Sequence, residues 1–463
     1  MLEEVGRLAA DVSWRGLGED ARRKLKLCLL ANLSVAVAGV RHVKLPCPPV
    51  VAAASTGAQG RGAAHLLFSG QSTTLARDAA FWNAAAMHAR TQDDFHPIGN
   101  LHAATVLVPA ALAMAERVGG VTGERFLDAI AAGYAVAAGL SCAFSPLTTP
   151  KGLRSTSLYS PFAAAVAAAR IAALPASGIA NAIALASSMA GGLTQCWIDG
   201  SDEWQLHVAQ AAANGLLAVE LTQAGVTGAS HALDGAAGFY HAHAGMIPVF
   251  GRIAKDFDAD RAILDTVIKR YPVSGICQPV VRAAERLAER LVGARERDGG
   301  ASPARVTDIR ILMNEFEMRY PGTLNRGPFR SFSDVLMSAA FCSASVLSCG
   351  RFDFDDLFTT NPERDRLISL TRVDADPALS TLSCRLELTF ESGERVVESL
   401  IDGGSSLAID MSTIDDWARA LWRDAGRPET QYGRLREAVD ALEHAELDAL
   451  TRAWGASTPR DRG

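Results

Sequence analysis

Between residues 88 and 102 the chain gathers three histidines and two adjacent carboxylates, His88, Asp93, Asp94, His96 and His102, in a polar loop. The loop opens directly onto residues 103–115, a run without a charged side chain. Titratable groups beside a low-dielectric wall suit proton-transfer chemistry, because burial and neighbouring charges can bring acids and bases toward the working pH. His102, at the start of the apolar run, is the candidate base. Asp93 is the candidate partner that orients it or a substrate hydroxyl, and Asp94 and His96 are candidate substrate contacts. Plainer roles exist for the same residues: His88 as a hydrogen-bonded core group, the aspartates as caps of a turn or helix, His96 as a solvent-facing loop residue. The spacings from His88 to His96 and from His96 to His102 do not put two ligands on one helical face, and the cysteines include no Cys-x-x-Cys pair, so no metal is expected.

The elements that would position these residues are mostly helical up to about residue 255, because Ala, Leu, Val and Met recur at three- and four-residue spacing and the breaks carry Gly or Pro. The pattern predicts helices over 21–40, 79–89 and 103–118. It predicts a further helix capped by Thr122, one opened by Pro161, and others over 177–193 and 204–224. After Pro272 the period changes to two. Residues 305–313 and 381–390 alternate as half-buried strands, 391–394 supply a turn, 395–401 return, and helices over 279–293 and 331–349 lie between. Helix resumes at Ser412 or Thr413 and occupies most of the chain to about Trp454. The expected fold is therefore mainly α: a large helical domain from residues 1–265 and 406–463, with a smaller α+β domain, 266–405, inserted. The tail 455–463 reads as disordered. The glycine-containing string 57–62 lacks the lysine and the strand-turn-helix setting of a phosphate loop.

At 463 residues, with 49% hydrophobic and 21% charged side chains and a formal net charge of -6, the chain reads as a two-domain globular enzyme with no basic field for nucleic acid. The eight cysteines have mostly apolar neighbours, as buried thiols of a reducing compartment do. The acidic start, Met-Leu-Glu-Glu, is unlike a secretory signal, and the apolar stretch 26–40 is short and interrupted by Asn32 and Ser34. A cytoplasmic location without membrane contact is expected. A small molecule or a second copy of the chain is the expected partner.

Six strings in order carry a resemblance to a known family: 88–94 leading to His102 and Pro109-Ala110-Ala111-Leu112-Ala113; 129–134; Ser155-Thr156-Ser157 running into Phe162; Leu206-His207 with 211–215; 233–239; and Lys269-Arg270-Tyr271-Pro272. Together they resemble the 2-methylcitrate dehydratase (MmgE/PrpD) superfamily, which includes cis-aconitate decarboxylase and iminodisuccinate epimerase. The resemblance implies the same architecture of a helical domain with an inserted α+β lid, a homodimer, no metal or organic cofactor, and removal of a proton beside a carboxylate. It places Lys269 and Tyr320 with Asp93 and His102 as catalytic residues. Arg154, Asp94, His96, Ser155, His207 and Gln278 are the candidate substrate contacts. Several positions depart from the family pattern: Thr91 stands for its first aspartate, Phe95 for a threonine, Arg154 for a histidine, Trp204 for a lysine and Gln278 for a histidine. Arg154 can clamp a carboxylate bidentately but is too basic to shuttle protons.

The resulting expectation is a cofactor-independent lyase, a dehydratase or decarboxylase, acting on a small di- or tricarboxylate. In that scheme Arg154 and Lys269 hold carboxylate, His102 moves the proton, and Tyr320 donates to the leaving group. The alternatives are an epimerase using the same proton chemistry and a non-catalytic carboxylate-binding dimer.

Overall fold

The computed structural model describes residues 1–50, 64–297 and 305–454; the string 57–62 and the tail 455–463 lie outside the described residues. The fold is mainly α with a smaller α+β region. The chain divides into two units, one of residues Met1–Leu193, Glu203–Ile268 and Asp410–Gly463, the other of Thr194–Asp202 and Lys269–Ile409. The expected first segment ran unbroken to residue 265, whereas Thr194–Asp202 belongs to the second unit. The reason is local: Ser331 Oγ and Ser333 Oγ donate to the carbonyls of Gly200 and Ser201 at 2.7 and 2.8 Å, tying this excursion to the second unit.

In the first unit the helices used below are α1 (Glu19–Gly39), α2 (Ala76–His88), α3 (Ala104–Val118), α4 (Gly123–Ser141), α5 (Ser155–Ile171) and α6 (Glu203–Gln223). α5 is the central element, packed on α3, α4 and α6, and every residue from Ser155 to Ala169 is buried. Alanines and serines permit this, because small side chains let helix backbones approach closely. At Gly215 of α6 an added Cβ would lie 2.4 Å from Ala164 Cβ of α5, so only glycine fits the crossing. Thr122 caps α4, its side chain accepting from Arg125 N at 3.3 Å. Pro161 does not open a helix but sits inside α5. The Ser157 carbonyl, four residues earlier and deprived of its helical donor, accepts from Gly191 N at 3.2 Å instead.

α1 with its 3-10 extension, Glu19–His42, is long and apolar enough to cross a membrane by length and composition, contrary to the sequence expectation, and 78% of its apolar window is buried inside the protein. Asn32 does not interrupt it, because its amide donates to Cys28 O at 2.8 Å within the helix. The C-terminal stretch is mostly helical, as expected, and holds α10 (Ile414–Asp424), α11 (Glu429–Asp440) and Asp448–Trp454. α10 packs on α1, with Trp422 Nε1 donating to Ser34 Oγ at 3.4 Å.

The second unit carries a four-stranded sheet of β3 (Val306–Met313), β4 (Thr371–Ala375), β5 (Cys384–Phe390) and β6 (Arg395–Leu400), in the order β4-β3-β5-β6. Along β5 the even positions, Cys384, Leu386, Leu388 and Phe390, are buried, as the period-two pattern requires. β4 is an edge strand parallel to β3 that the sequence reading did not anticipate, its Thr-Arg-Val-Asp-Ala string lacking the apolar alternation. Helices α7 (Gln278–Arg297), α8 (Ala339–Cys349) and α9 (Pro362–Leu370) accompany the sheet. The expected helix over 331–349 breaks before α8, where Ser338 becomes an N-cap accepting from Phe341 N at 3.0 Å.

Glu317 is a strongly perturbed carboxyl of this unit. It is 2% exposed; Oε1 accepts from Leu382 N at 2.9 Å, and Oε2 has no hydrogen-bond partner. Burial pushes its pKa from 4.5 up to about 7. The folded protein therefore holds a proton that the unfolded chain releases between pH 4.5 and about 7. Stability should fall as pH rises through that window, by roughly 3 kcal/mol for this group, and level off above it. In chemical denaturation Glu317→Gln should flatten that part of the profile and be more stable than the parent at pH 8; an unchanged profile would remove Glu317 as its source.

Candidate active site

The loop of residues 89–103 joins α2 to α3 and is fixed at several points. Asp94–Phe95 (β1) pairs antiparallel with Val267–Ile268 (β2), and His96 N donates to Leu101 O at 2.9 Å. Asp94 N donates to Asn32 Oδ1 of α1 at 3.3 Å. The Asp94 carboxylate accepts from Ala104 N at 3.2 and 3.3 Å and from Tyr134 OH of α4 at 2.6 Å. A carboxylate at a helix N-terminus is favoured by the unpaired amides and the helix dipole, and burial followed by the Asp94 charge holds the Tyr134 hydroxyl well above its usual pKa. Asp94 thus joins three helices, and its carboxylate is taken up by that work instead of being offered to a substrate.

Asp93, fully buried, is the hub. Its Oδ2 lies 3.0 Å from His88 Nδ1 and 3.0 Å from His102 Nδ1, and accepts from Thr105 Oγ1 at 3.3 Å. His102 Nδ1 also lies 2.7 Å from the Asp94 carbonyl. Both of these neighbours accept and neither donates, so Nδ1 carries the proton and a neutral His102 has its lone pair on Nε2. The His102 side chain is 14% exposed against 2% for His88. At the turn before Asp93, Thr91 has φ 55, a left-handed conformation costly for a β-branched residue, and its buried Oγ1 has no hydrogen-bond partner.

Arg154, the residue before α5, is 2% exposed. Its Nη2 donates to His88 Nε2 at 2.7 Å, and Nη1 donates to Trp204 O at 2.6 Å and to His207 Nδ1 at 3.3 Å. A guanidinium only donates, so His88 Nε2 must accept and His88 Nδ1–H must point at Asp93. Burial brings the His88 pKa down to about 3, which keeps the ring neutral in this tautomer. The result is a chain in which one neutral imidazole separates the Asp93 carboxylate from the Arg154 cation. His207 is likewise neutral, brought down to about 3 by burial and then by Arg154. The Trp204 ring stands edge-on to His88 with centroids 5.2 Å apart.

These contacts revise several expectations. Arg154 was expected as a two-nitrogen carboxylate clamp; both terminal nitrogens donate to protein groups, and at this centre it supplies charge and imposes a tautomer. The Ser155 hydroxyl is engaged with Ser145 Oγ at 2.8 Å and Thr149 Oγ1 at 3.2 Å. His96 is buried, not facing solvent; its Nδ1 accepts from Gly99 N at 3.1 Å, and burial lowers its pKa to about 4. In the second unit, Gln278 accepts from Tyr271 N at 3.0 Å and donates to Tyr271 O at 2.9 Å and Val273 O at 3.2 Å, so its amide holds the local backbone and is no substrate contact. Lys269 is buried and follows β2 in the chain; Tyr320 stands edge-on to Phe316 with centroids 6.4 Å apart.

The sequence reading missed His88 as a working member, although its place five residues before Asp93 and near two other histidines was a signal. Tyr134 was also missed, and a buried tyrosine in an alanine-rich helix needs a partner for its hydroxyl. The spacing argument against a metal fails as well, because the folded loop brings one ligand atom each from His88, Asp93 and His102 within 4.8 Å of one another. The donor set itself disfavours a cation. A metal on His88 Nδ1 would force the ring proton onto Nε2, which already faces an Arg154 donor at 2.7 Å.

The chain is similar to a cis-aconitate decarboxylase-like protein, oryM, of Aspergillus oryzae, 23% identical over 397 residues that cover 80% of each chain. The MmgE/PrpD N-terminal domain matches residues 3–248, a span that holds His88, Asp93, His102, Arg154 and His207. With that domain covering more than half of its length, the chain belongs to the MmgE/PrpD family, which includes dehydratases and decarboxylases.

Proposed function

We propose that the protein is a lyase that removes a proton next to a carboxylate of a small di- or tricarboxylate, with dehydration or decarboxylation following. One observation carries the reading: His102 Nδ1 is held between the Asp93 carboxylate at 3.0 Å and the Asp94 carbonyl at 2.7 Å. That arrangement fixes the tautomer with the lone pair on Nε2 and stabilises the imidazolium formed when Nε2 takes a proton. Arg154 supplies positive charge close by, favouring an anionic substrate and the negative charge that develops at its carboxylate. His207, neutral and with its proton on Nε2, is a hydrogen-bond donor for the same substrate. Lys269 as a second carboxylate contact and Tyr320 as the acid for the leaving group rest on their correspondence to the family pattern.

The test is turnover of a panel containing cis-aconitate, 2-methylcitrate, citrate and malate, followed by absorbance of unsaturated acids and by release of carbon dioxide. The proposal expects a new or lost carbon–carbon double bond, or carbon dioxide, from at least one member. Binding of panel members without any such product would contradict it.

A further inference from the structure

The second unit holds a cavity of about 550 Å³ whose chemistry is separate from that of the His102 centre. Val335, Phe341, Leu357 and Ile368 form a buried apolar floor. Arg326, Arg330 and Arg364 line it with one carboxylate, Asp365. Two of the guanidiniums are oriented by contacts that leave their charge in place. Arg326 donates to the carbonyls of Ile368 and Ser369 at the end of α9, and Arg330 donates to Asp199 O at 3.3 Å. Arg330 Nε is also 3.8 Å from Asp334 Oδ2, but its side chain is 70% exposed, so this pair is strongly screened. Arg364 is buried, with its guanidinium 4.6 Å from the centre of the Phe341 ring.

A concave site with positive charge at its wall and a low-dielectric floor concentrates the field on an anion that enters it. The floor also rewards an apolar body: Phe329 and Phe341 stand edge to face with centroids 5.0 Å apart, and Phe358, on the wall, is 61% exposed. We propose that this cavity binds an organic anion that carries an aromatic or branched apolar body, the carboxylate or phosphate lying toward Arg326 and Arg330 and the body on Phe341 and Leu357. Binding needs both halves of the ligand. Inorganic phosphate would find the charge and leave the floor wet, whereas a neutral aromatic would find the floor and leave the arginines without gain.

Calorimetric titration of the full chain with phenylacetate, phenylacetamide and inorganic phosphate tests the proposal. Phenylacetate should bind at least tenfold more tightly than the other two, and Arg326→Met should weaken it about tenfold. Arg326→Gln, which keeps a polar side chain without the charge, is the second variant against a folding defect and should weaken binding similarly. Both variants should leave proton exchange at the His102 centre unchanged. Equal binding of phenylacetate and phenylacetamide, or full binding by both variants, would overturn the proposal. So would a change of oligomeric state in the variants with no change in binding, because the cavity would then be a contact between copies of the chain.

Discussion

Replacing His102 by alanine should lower turnover by about 10²–10⁴-fold, the range for loss of a positioned general base, while the protein remains folded. The two effects separate because of how the ring is held. Its side chain is 14% exposed and stands at the edge of the hub, and the Asp93 carboxylate keeps His88 at 3.0 Å and Thr105 at 3.3 Å when it is gone. The expected loss of stability is therefore that of one hydrogen bond to a charged group, about 1.5–3 kcal/mol. Activity within tenfold of the parent, in a variant with parental secondary structure, would remove His102 from the chemistry.

Asp93→Asn should cost both activity and stability. The asparagine oxygen can still accept from one or both imidazoles, so the geometry is retained more nearly than the electrostatics. What disappears is the negative end of the Asp93–His88–Arg154 chain and the charge that stabilises the His102 imidazolium. Loss of a buried carboxylate that offsets a buried guanidinium is worth on the order of 3 kcal/mol. The amide can also turn a donor toward His102 Nδ1 and so exchange its tautomer, for which a rate loss of about 10²–10⁴-fold is reasonable. Thr105→Val is the control, since it removes the 3.3 Å contact to the same oxygen and the 3.2 Å contact to the His102 carbonyl but leaves every charge in place. It should cost about 1 kcal/mol and leave most of the activity. Parental stability for Asp93→Asn would mean that the carboxylate is not the counter-charge of this core.

The helices and the hub were legible in the sequence for different reasons. Three- and four-residue apolar spacing marks α1 to α6 regardless of what they pack on, and β5 declared itself by alternation. Pro161 misled because the signal for a helix start is local, whereas the donor that relieves its effect, Gly191 N, is 34 residues from Ser157 O by subtraction of their numbers. β4 was invisible because an edge strand needs little apolar alternation. In the site, the density of titratable groups between His88 and His102 pointed to the place, and Asp93 with His102 emerged as a bonded pair. The work of Arg154 was not readable, since its partners His88 and His207 lie 66 and 53 residues away. Gln278 and Ser155 misled for a related reason: a polar residue at a position marked by the family pattern can equally be one that holds its own surroundings together, and only its hydrogen bonds show which.

The central claim is that His102 Nε2 moves a proton at the carbon next to a substrate carboxylate. Incubating the protein in deuterated water with a panel of di- and tricarboxylates, and following the protons on the carbon beside each carboxylate by NMR, reads that step directly. At least one substrate should exchange deuterium into that position at a rate that falls at least about 10²-fold in His102→Ala. Exchange that is equal in the parent and the variant, or binding of these acids with no exchange in either, would contradict the account.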